Sequence, residues 1–348
     1  MVYFFKFNYY SLNNVPEITS WENKIFRASF YTFEGLALEL FQFQYNNNPL
    51  YRQFCDSLQI DPLKVDHIVK IPFMPVQLFK THEIKTTEFE AETVFESSGT
   101  TGSATSRHFI KNTQLYTDSF THAFELFYGN PSEWCVLGLL PSYLERGHSS
   151  LVYMVENLIQ QSGHPFSGFY LADHEKLYHT LLHNEIIRQP TLLIGVTYGL
   201  LDFAANYKMR LSNTIIMETG GMKGRRAEIT REEVHAILKS QLGISEIHSE
   251  YGMTELLSQA YSRKEGLFKC PPWMEVLIRE EDDPMAVYRS PKAKTAITGV
   301  VNIIDLANIY SCAFLATNDI GKLHHNGFFE ILGRTDASEI RGCSLLTL

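Results

Sequence analysis

Two short apolar runs, WCVLGLLP from Trp134 and TLLIGVTY from Thr191, and two further short runs, NTIIMETGG from Asn213 and ISEIHSEYG from Ile244, alternate with stretches of helical periodicity. The helical stretches fall near Ser149 to Gln161, Gly199 to Tyr207 and Arg231 to Leu242. Short runs of this kind read as strands of a mostly parallel sheet, and helices between them read as crossovers. Such an alternation leaves few topologies open, because parallel strands joined by helices cross over right-handed and stack into one sheet. Upstream, TVFE near Thr93, a Ser/Thr/Gly loop and a helical stretch from Asn112 (NTQLYTDSFTHAFELFYG) continue the α/β logic.

The two ends differ in character. The first 70 residues carry helical periodicity, as in NKIFRASFYTFEGLALELFQFQY from Asn23, with a polar break at Asn46 to Asn48. After about Phe268 the pattern turns to WMEVLIRE, GVVNIIDLA and GFFEILGR, strand-like and separated by acidic or Pro/Gly turns. The expected architecture is α/β: mostly parallel sheets with crossover helices, a helical entry segment over about 1–70 and a C-terminal antiparallel β subdomain over about 268–333.

Charge and cysteines narrow the function classes. Thirty basic against 39 acidic residues leave a net charge of −9 with no basic stripe, so neither nucleic acid nor anionic lipid has an electrostatic handle. The opening MVYFFKFNYY lacks the basic and apolar regions of a signal peptide, and no apolar run approaches membrane-spanning length. Cys55, Cys135, Cys270, Cys312 and Cys343 are odd in number and widely spaced, which fits free thiols in a reducing compartment. A cytoplasmic protein acting on a small molecule is the expectation.

The segment Ser97 to Ser106 reads SSGTTGSATS. Backbone N–H groups in a glycine-rich turn converge on one concavity and hydroxyls add donors, so such a loop can wrap polyphosphate. An ordinary solvated turn is the commoner meaning of such composition, and the loop lacks the GK[ST] ending of a Walker A motif. What singles it out is the series that follows: EYGMTE at Glu250 to Glu255, ATNDIG at Ala316 to Gly321 and GRTDASEIRG at Gly333 to Gly342.

These four stretches, in this order, resemble the core motifs of the adenylate-forming superfamily of acyl-CoA synthetases, firefly luciferase and phenylacetate-CoA ligases. The resemblance implies activation of a carboxylic acid with ATP and Mg²⁺ to acyl-AMP, and a large N-terminal domain over 1–333. It assigns Ser97, Ser98, Gly99, Thr100, Thr101 and Gly102 to the loop that holds the β- and γ-phosphates. Tyr251 matches the aromatic on adenine, Thr254 the hydroxyl near the α-phosphate, Glu255 the carboxylate on Mg²⁺, Asp319 the grip on the ribose and Arg334 a second nucleotide contact. Where many relatives carry a lysine just beyond the phosphate loop, this sequence has Thr105, followed by Arg107 and His108, which leaves the cation for pyrophosphate unassigned.

Asp336 matches the hinge that in acyl-CoA synthetases introduces a C-terminal lid domain, whereas here Ala337 to Leu348 follow and the lid is expected to be absent. Within the superfamily the sequence looks like the acyl-protein synthetases of bacterial luminescence, also called long-chain-fatty-acid–protein ligases. That branch implies an acyl thioester on Cys343, in the hinge remnant and tail 334–348, and delivery of a fatty acyl group to a reductase partner. IPFMPVQLFK at Ile71, LLPSYLERGHSSLVYM at Leu139 and METGGMKGRR at Met217 are consistent with it, and His148, Tyr198, Gly220, Gly221 and Lys223 are candidate acyl-pocket residues. Two rival readings are a CoA ligase of the phenylacetate type and a non-catalytic nucleotide-binding scaffold. HEKLYHTLLHNE, with His174, His179, His183 and Glu185, reads as a solvated helical face and not as a zinc site.

Overall fold

A computed structural model describes residues 21–97, 104–140, 148–171, 173–220, 229–289 and 295–335. Three helices open it: α1 (Trp21–Ile25), α2 (Phe33–Asn47) and α3 (Pro49–Ser57). α2 buries Phe33, Ala37, Leu40, Phe41 and Gln44, the spacing of one helical face. The asparagine break works as a cap: the Asn48 side chain accepts from the Tyr51 amide at 3.0 Å, and Pro49 starts α3 where no amide donor is needed.

The chain then runs through β1 (Met74–Pro75) into an antiparallel hairpin, β2 (Thr93–Glu96) and β3 (Arg107–Ile110), with Glu96 opposite Arg107. The sequence reading passed from the Ser/Thr/Gly loop straight to a helix. β3 is four residues long and opens on Arg107 and His108, too short and too polar at its start for a period-two signal.

Next come α4 (Thr113–Tyr128), β4 (Cys135–Leu139), α5 (Ser150–Ser162), β5 (Gly168–Phe169), α6 (His174–Ile187), β6 (Thr191–Gly195), α7 (Thr197–Asn206), β7 (Thr214–Glu218), α8 (Arg231–Leu242) and β8 (His248–Tyr251). Strands β5, β4, β6, β7 and β8 lie side by side in that order and all pair in parallel. Successive side chains of a strand point to opposite faces, so each strand feeds two cores. Val136, Leu192, Ile194 and Met217 join the core shared with α4 and α5, while Leu137, Leu193 and Ile216 join the core under α6, α7 and α8. That division explains why these strands are apolar without alternation.

From β4 the chain moves outward to β5 and then returns past β4 to β6. In open parallel sheets, such a reversal leaves a crevice at the carboxyl ends of the flanking strands. Register sets Leu139, Gly195, Glu218 and Ser249 in one row along that edge.

The remaining strands are β9 (Ala260–Ser262), β10 (Phe268–Lys269), β11 (Met274–Arg279), β12 (Val287–Tyr288), β13 (Ile297–Asp305), β14 (Phe314–Leu323) and β15 (Phe329–Arg334). They pair antiparallel, yet β9 pairs with β8 and the ladder runs on through β10 and β15 to β14, β13, β11 and β12. The antiparallel strands therefore extend the parallel ones in one sheet, which β1 joins as a thirteenth strand by pairing in parallel with β14. Among the described residues, no helix is long and apolar enough to cross a membrane.

Candidate functional site

Antiparallel pairing of β14 with β15 sets Asp319 opposite Arg334. Their side chains are nearly buried, and Arg334 Nε lies 3.5 Å from Asp319 Oδ1. The Asp319 amide donates to Thr317 Oγ1 at 3.0 Å, which fixes the backbone behind the carboxylate. Tyr251, at the end of β8, reaches across the short strands between: its ring packs on Phe268 at 5.9 Å and Phe329 at 5.7 Å, and its hydroxyl donates to Asp319 Oδ2 at 2.7 Å. Three residues far apart in sequence thus form one cluster.

Directly after Tyr251 the chain turns through Gly252 to Leu256, carrying Thr254 and Glu255. This turn and the two residues after it are held from behind. His108 Nδ1 donates to the Thr254 carbonyl at 2.8 Å, Asn308 Nδ2 donates to the Glu255 carbonyl at 2.7 Å, and the buried Asp305 carboxylate accepts from the Leu257 and Ser258 amides at 2.8 and 3.0 Å. A carbonyl only accepts, so the proton of the neutral His108 ring sits on Nδ1. Burial pulls His108 down to about 4, against the opposing pull of the Thr254 carbonyl and the Asn308 side chain. His108 is therefore neutral near pH 7 and is not the cation for pyrophosphate. Arg107, half-buried beside it, places its guanidinium 5.5 Å from the Phe109 ring.

The neck of the hairpin loop is clasped twice: the Ser97 amide donates to the Ser106 carbonyl at 3.0 Å, and Ser97 Oγ accepts from the Ser106 amide at 2.9 Å. His148 lies along β2, its carbonyl accepting from Glu96 at 2.7 Å. Tyr198 is in the first turn of α7, which meets Gly220 through the Thr197 amide and Gly220 carbonyl at 3.1 Å. Ser98, Gly99, Thr100, Thr101, Gly102, Gly221, Lys223, Asp336 and Cys343 lie outside the described residues.

Two further carboxylates stand at this edge, inside the stretches METGGMKGRR and EYGMTE, and neither was given a role from the sequence. Glu218 ends β7 nearly buried, accepts from the Thr197 hydroxyl and from the Gly220 amide at 2.8 Å, and stands 4.0 Å from His235 of α8. Burial first and Glu218 second push the Glu250 carboxyl up to about 8. Glu218 closes TIIME and Glu250 stands one residue before the end of HSEY, and a carboxylate near a strand end marks many surface strands as well.

The four described cysteines are poor nucleophiles: Cys55, Cys135 and Cys312 are buried and Cys270 partly so, and burial raises all four thiols, Cys55 to about 12. On α6, Glu185 spends its oxygens on the Ser212 and Asn213 amides and the Thr214 hydroxyl. Among the described residues, no group of three or more His, Cys, Asp and Glu side chains is placed to hold a metal.

The fold is that of the large domain of adenylate-forming ligases. A 2-hydroxyisobutyryl-CoA ligase, crystallised after adenylation with its acyl-AMP, superposes with a TM-score of 0.60 at 12% identity, over 94% of this chain and 73% of that one. A luciferase-like enzyme from the nonluminescent Zophobas morio mealworm superposes with a TM-score of 0.50 at 16% identity, over 72% of this chain and 60% of its own. Within that class, the resemblance to the acyl-protein synthetases is borne out by sequence comparison. Residues 25–117 match the family model described as acyl-protein synthetase, LuxE. Over 327 residues the chain is 23% identical to the long-chain-fatty-acid–luciferin-component ligase of Vibrio harveyi, covering 88% of this chain and 84% of that protein.

Proposed function

We propose that this protein is an acyl-protein ligase of the cytoplasm that activates a carboxylic acid, a fatty acid by the chemistry of its Vibrio harveyi relative, as acyl-AMP. The observation that carries the reading is the meeting of Tyr251, Asp319 and Arg334 beside the turn that bears Thr254 and Glu255. A substrate carboxylate oxygen attacks the α-phosphorus of ATP, a P–O bond forms, and the bond to the bridging oxygen breaks to release pyrophosphate. Asp319, already accepting from Tyr251 and paired with Arg334, has lone pairs left for the ribose hydroxyls. Thr254 donates toward the α-phosphate from a turn that cannot drift.

Glu255 is a nearly buried hard oxygen ligand, and one such carboxylate suits Mg²⁺, which keeps several waters and takes phosphate oxygens for the rest. When bound, Mg²⁺ supplies charge neutralisation for the phosphates. The Cys343 thiolate then attacks the acyl carbonyl, the thioester forms and AMP leaves with the phosphate oxygen and its electrons. The acyl group is passed on to a reductase-type partner.

The first prediction tests the adenylation step. Wild-type protein exchanges pyrophosphate into ATP in the presence of a fatty acid, and Glu255→Gln lowers that exchange about 10²- to 10³-fold with the fold intact. Cys343→Ala retains exchange and loses hydroxylamine-labile acyl label. Absence of exchange with every acid tested favours the scaffold, and transfer to free coenzyme A as fast as to the protein favours a CoA ligase.

A further inference from the structure

The hairpin that bears SSGTTG and the turn that bears Thr254 and Glu255 belong to different parts of the chain, and a single buried side chain bridges them. His108 on β3 is 1% exposed. It pairs across the hairpin with Phe95, stacks edge-to-face on Phe79 with ring centres 5.6 Å apart, and directs Nδ1 at the Thr254 carbonyl at 2.8 Å. The neighbouring carbonyl, of Glu255, is held by Asn308, which follows β13 in the main sheet. Consecutive peptides of one turn are thus anchored from two places in the chain, the hairpin through His108 and the stretch after β13 through Asn308.

We infer that His108 is a positioning residue for the adenylation proposed above, holding the Thr254 peptide so that the Thr254 hydroxyl and Glu255 carboxylate keep their place relative to the hairpin. The inference rests on that reading of the site. The physical reason is that a part-buried carbonyl stripped of its donor is costly, and rotating toward water relieves that cost. Rotation of the Thr254 peptide would swing both side chains it flanks. Misplacement of a reacting group by about 1 Å is enough to cost on the order of 10²-fold in rate. His108 touches neither acid nor nucleotide in this scheme. It acts through the turn.

Asparagine and glutamine substitutions separate this role from simple filling of space. An Asn amide nitrogen occupies the position of Nδ1, a Gln amide nitrogen that of Nε2. Fatty-acid-dependent pyrophosphate exchange is measured on wild type, His108→Leu, His108→Asn and His108→Gln, each checked for folding by circular dichroism and thermal midpoint. We expect His108→Leu to fold and lose about 10- to 100-fold in turnover, with the KM for the fatty acid within about threefold of wild type because the acid contacts are untouched. His108→Asn should recover turnover to within about threefold and His108→Gln should not, because only the first returns a donor to Thr254.

Turnover in folded His108→Leu within about threefold of wild type overturns the inference, and so does equal activity of the Asn and Gln variants. Should His108→Leu fail to fold, the Asn and Gln pair alone decides. Exchange missing in wild type itself overturns the adenylation reading and this role with it, a result distinct from active wild type with indifferent variants.

Discussion

The parallel half of the sheet and the antiparallel half place functional groups by different means. In the parallel half, a side chain reaches the site because its strand stops there: Glu218 closes β7, Tyr251 closes β8, and the turn with Thr254 and Glu255 begins where β8 ends. In the antiparallel half, position comes from register. Asp319 lies within β14 and meets Arg334 because those two residues face each other across the ladder. A site assembled at strand ends tolerates change along the strand, whereas a site assembled by register depends on every pairing that fixes it.

The largest effect expected from this contrast follows from removing the registered carboxylate. Asp319→Ala should lower pyrophosphate exchange about 10³-fold, a size comparable to loss of a preorganised polar group at a reacting centre. Tyr251→Phe, which deletes the hydroxyl that orients Asp319 and keeps the ring, should cost about tenfold at most, read in the same assay. Equal losses in the two variants would show that the strand-end residue acts on the substrate directly.

A second expectation concerns pH. His108 beneath the turn and His248 on β8 are both pulled down to about 4 by burial, with the nearby Arg263 adding to the effect at His248. The unfolded chain takes up these protons near pH 6.5 and the folded protein does not, so stability is full above about 6.5 and falls as pH drops toward 4. For the fully buried His108, at about 1.4 kcal/mol per pH unit, the loss amounts to about 3 kcal/mol. Glu250 opposes this trend: raised to about 8, it takes up its proton more readily in the folded state, so its contribution is largest below about 4.5 and declines as pH rises toward 8. Urea midpoints of wild type against His248→Asn and Glu250→Gln across pH 4 to 8 check both slopes. A His248→Asn curve as steep as wild type below 6.5 would remove His248 from the account.

The smallest effect comes from one methyl group placed in each half. A Cβ on Gly321 would stand 2.5 Å from Val301 Cγ2 and 3.1 Å from the Glu330 carbonyl, beside the register shift next to Ile320. A Cβ on Gly138 in β4 would stand 2.8 Å from Phe169 Cδ1, the edge of a side chain. Both alanine variants should lose about 1–3 kcal/mol in chemical denaturation. Only Gly321→Ala should also raise the KM for ATP, by several-fold, because it presses on the ladder that aligns Asp319 with Arg334. An unchanged KM would count against the view that register governs that part of the site.

The sequence alone determined the parallel core. TLLIG, TIIME and CVLGL carry consecutive apolar residues with no polar alternation between them, the pattern of a strand buried on both faces. Helix ends were legible for a similar local reason: the Thr230 and Glu233 capping box and Gly243 at φ 60° mark α8 within the residues that form it. The four motif stretches named Tyr251, Thr254, Glu255, Asp319 and Arg334 as candidates.

Tertiary structure alone decided how these parts meet. That the antiparallel strands continue the same sheet depends on β9 and β10, three and two residues long, which carry too little pattern to be seen. The fixed geometry of the Thr254–Glu255 turn depends on His108, Asp305 and Asn308, recruited from strands and loops far away in sequence. A buried histidine and a buried asparagine look the same in sequence as exposed ones. What distinguishes them is the carbonyl each is aimed at, and that is settled only when the hairpin and the sheet close around the turn.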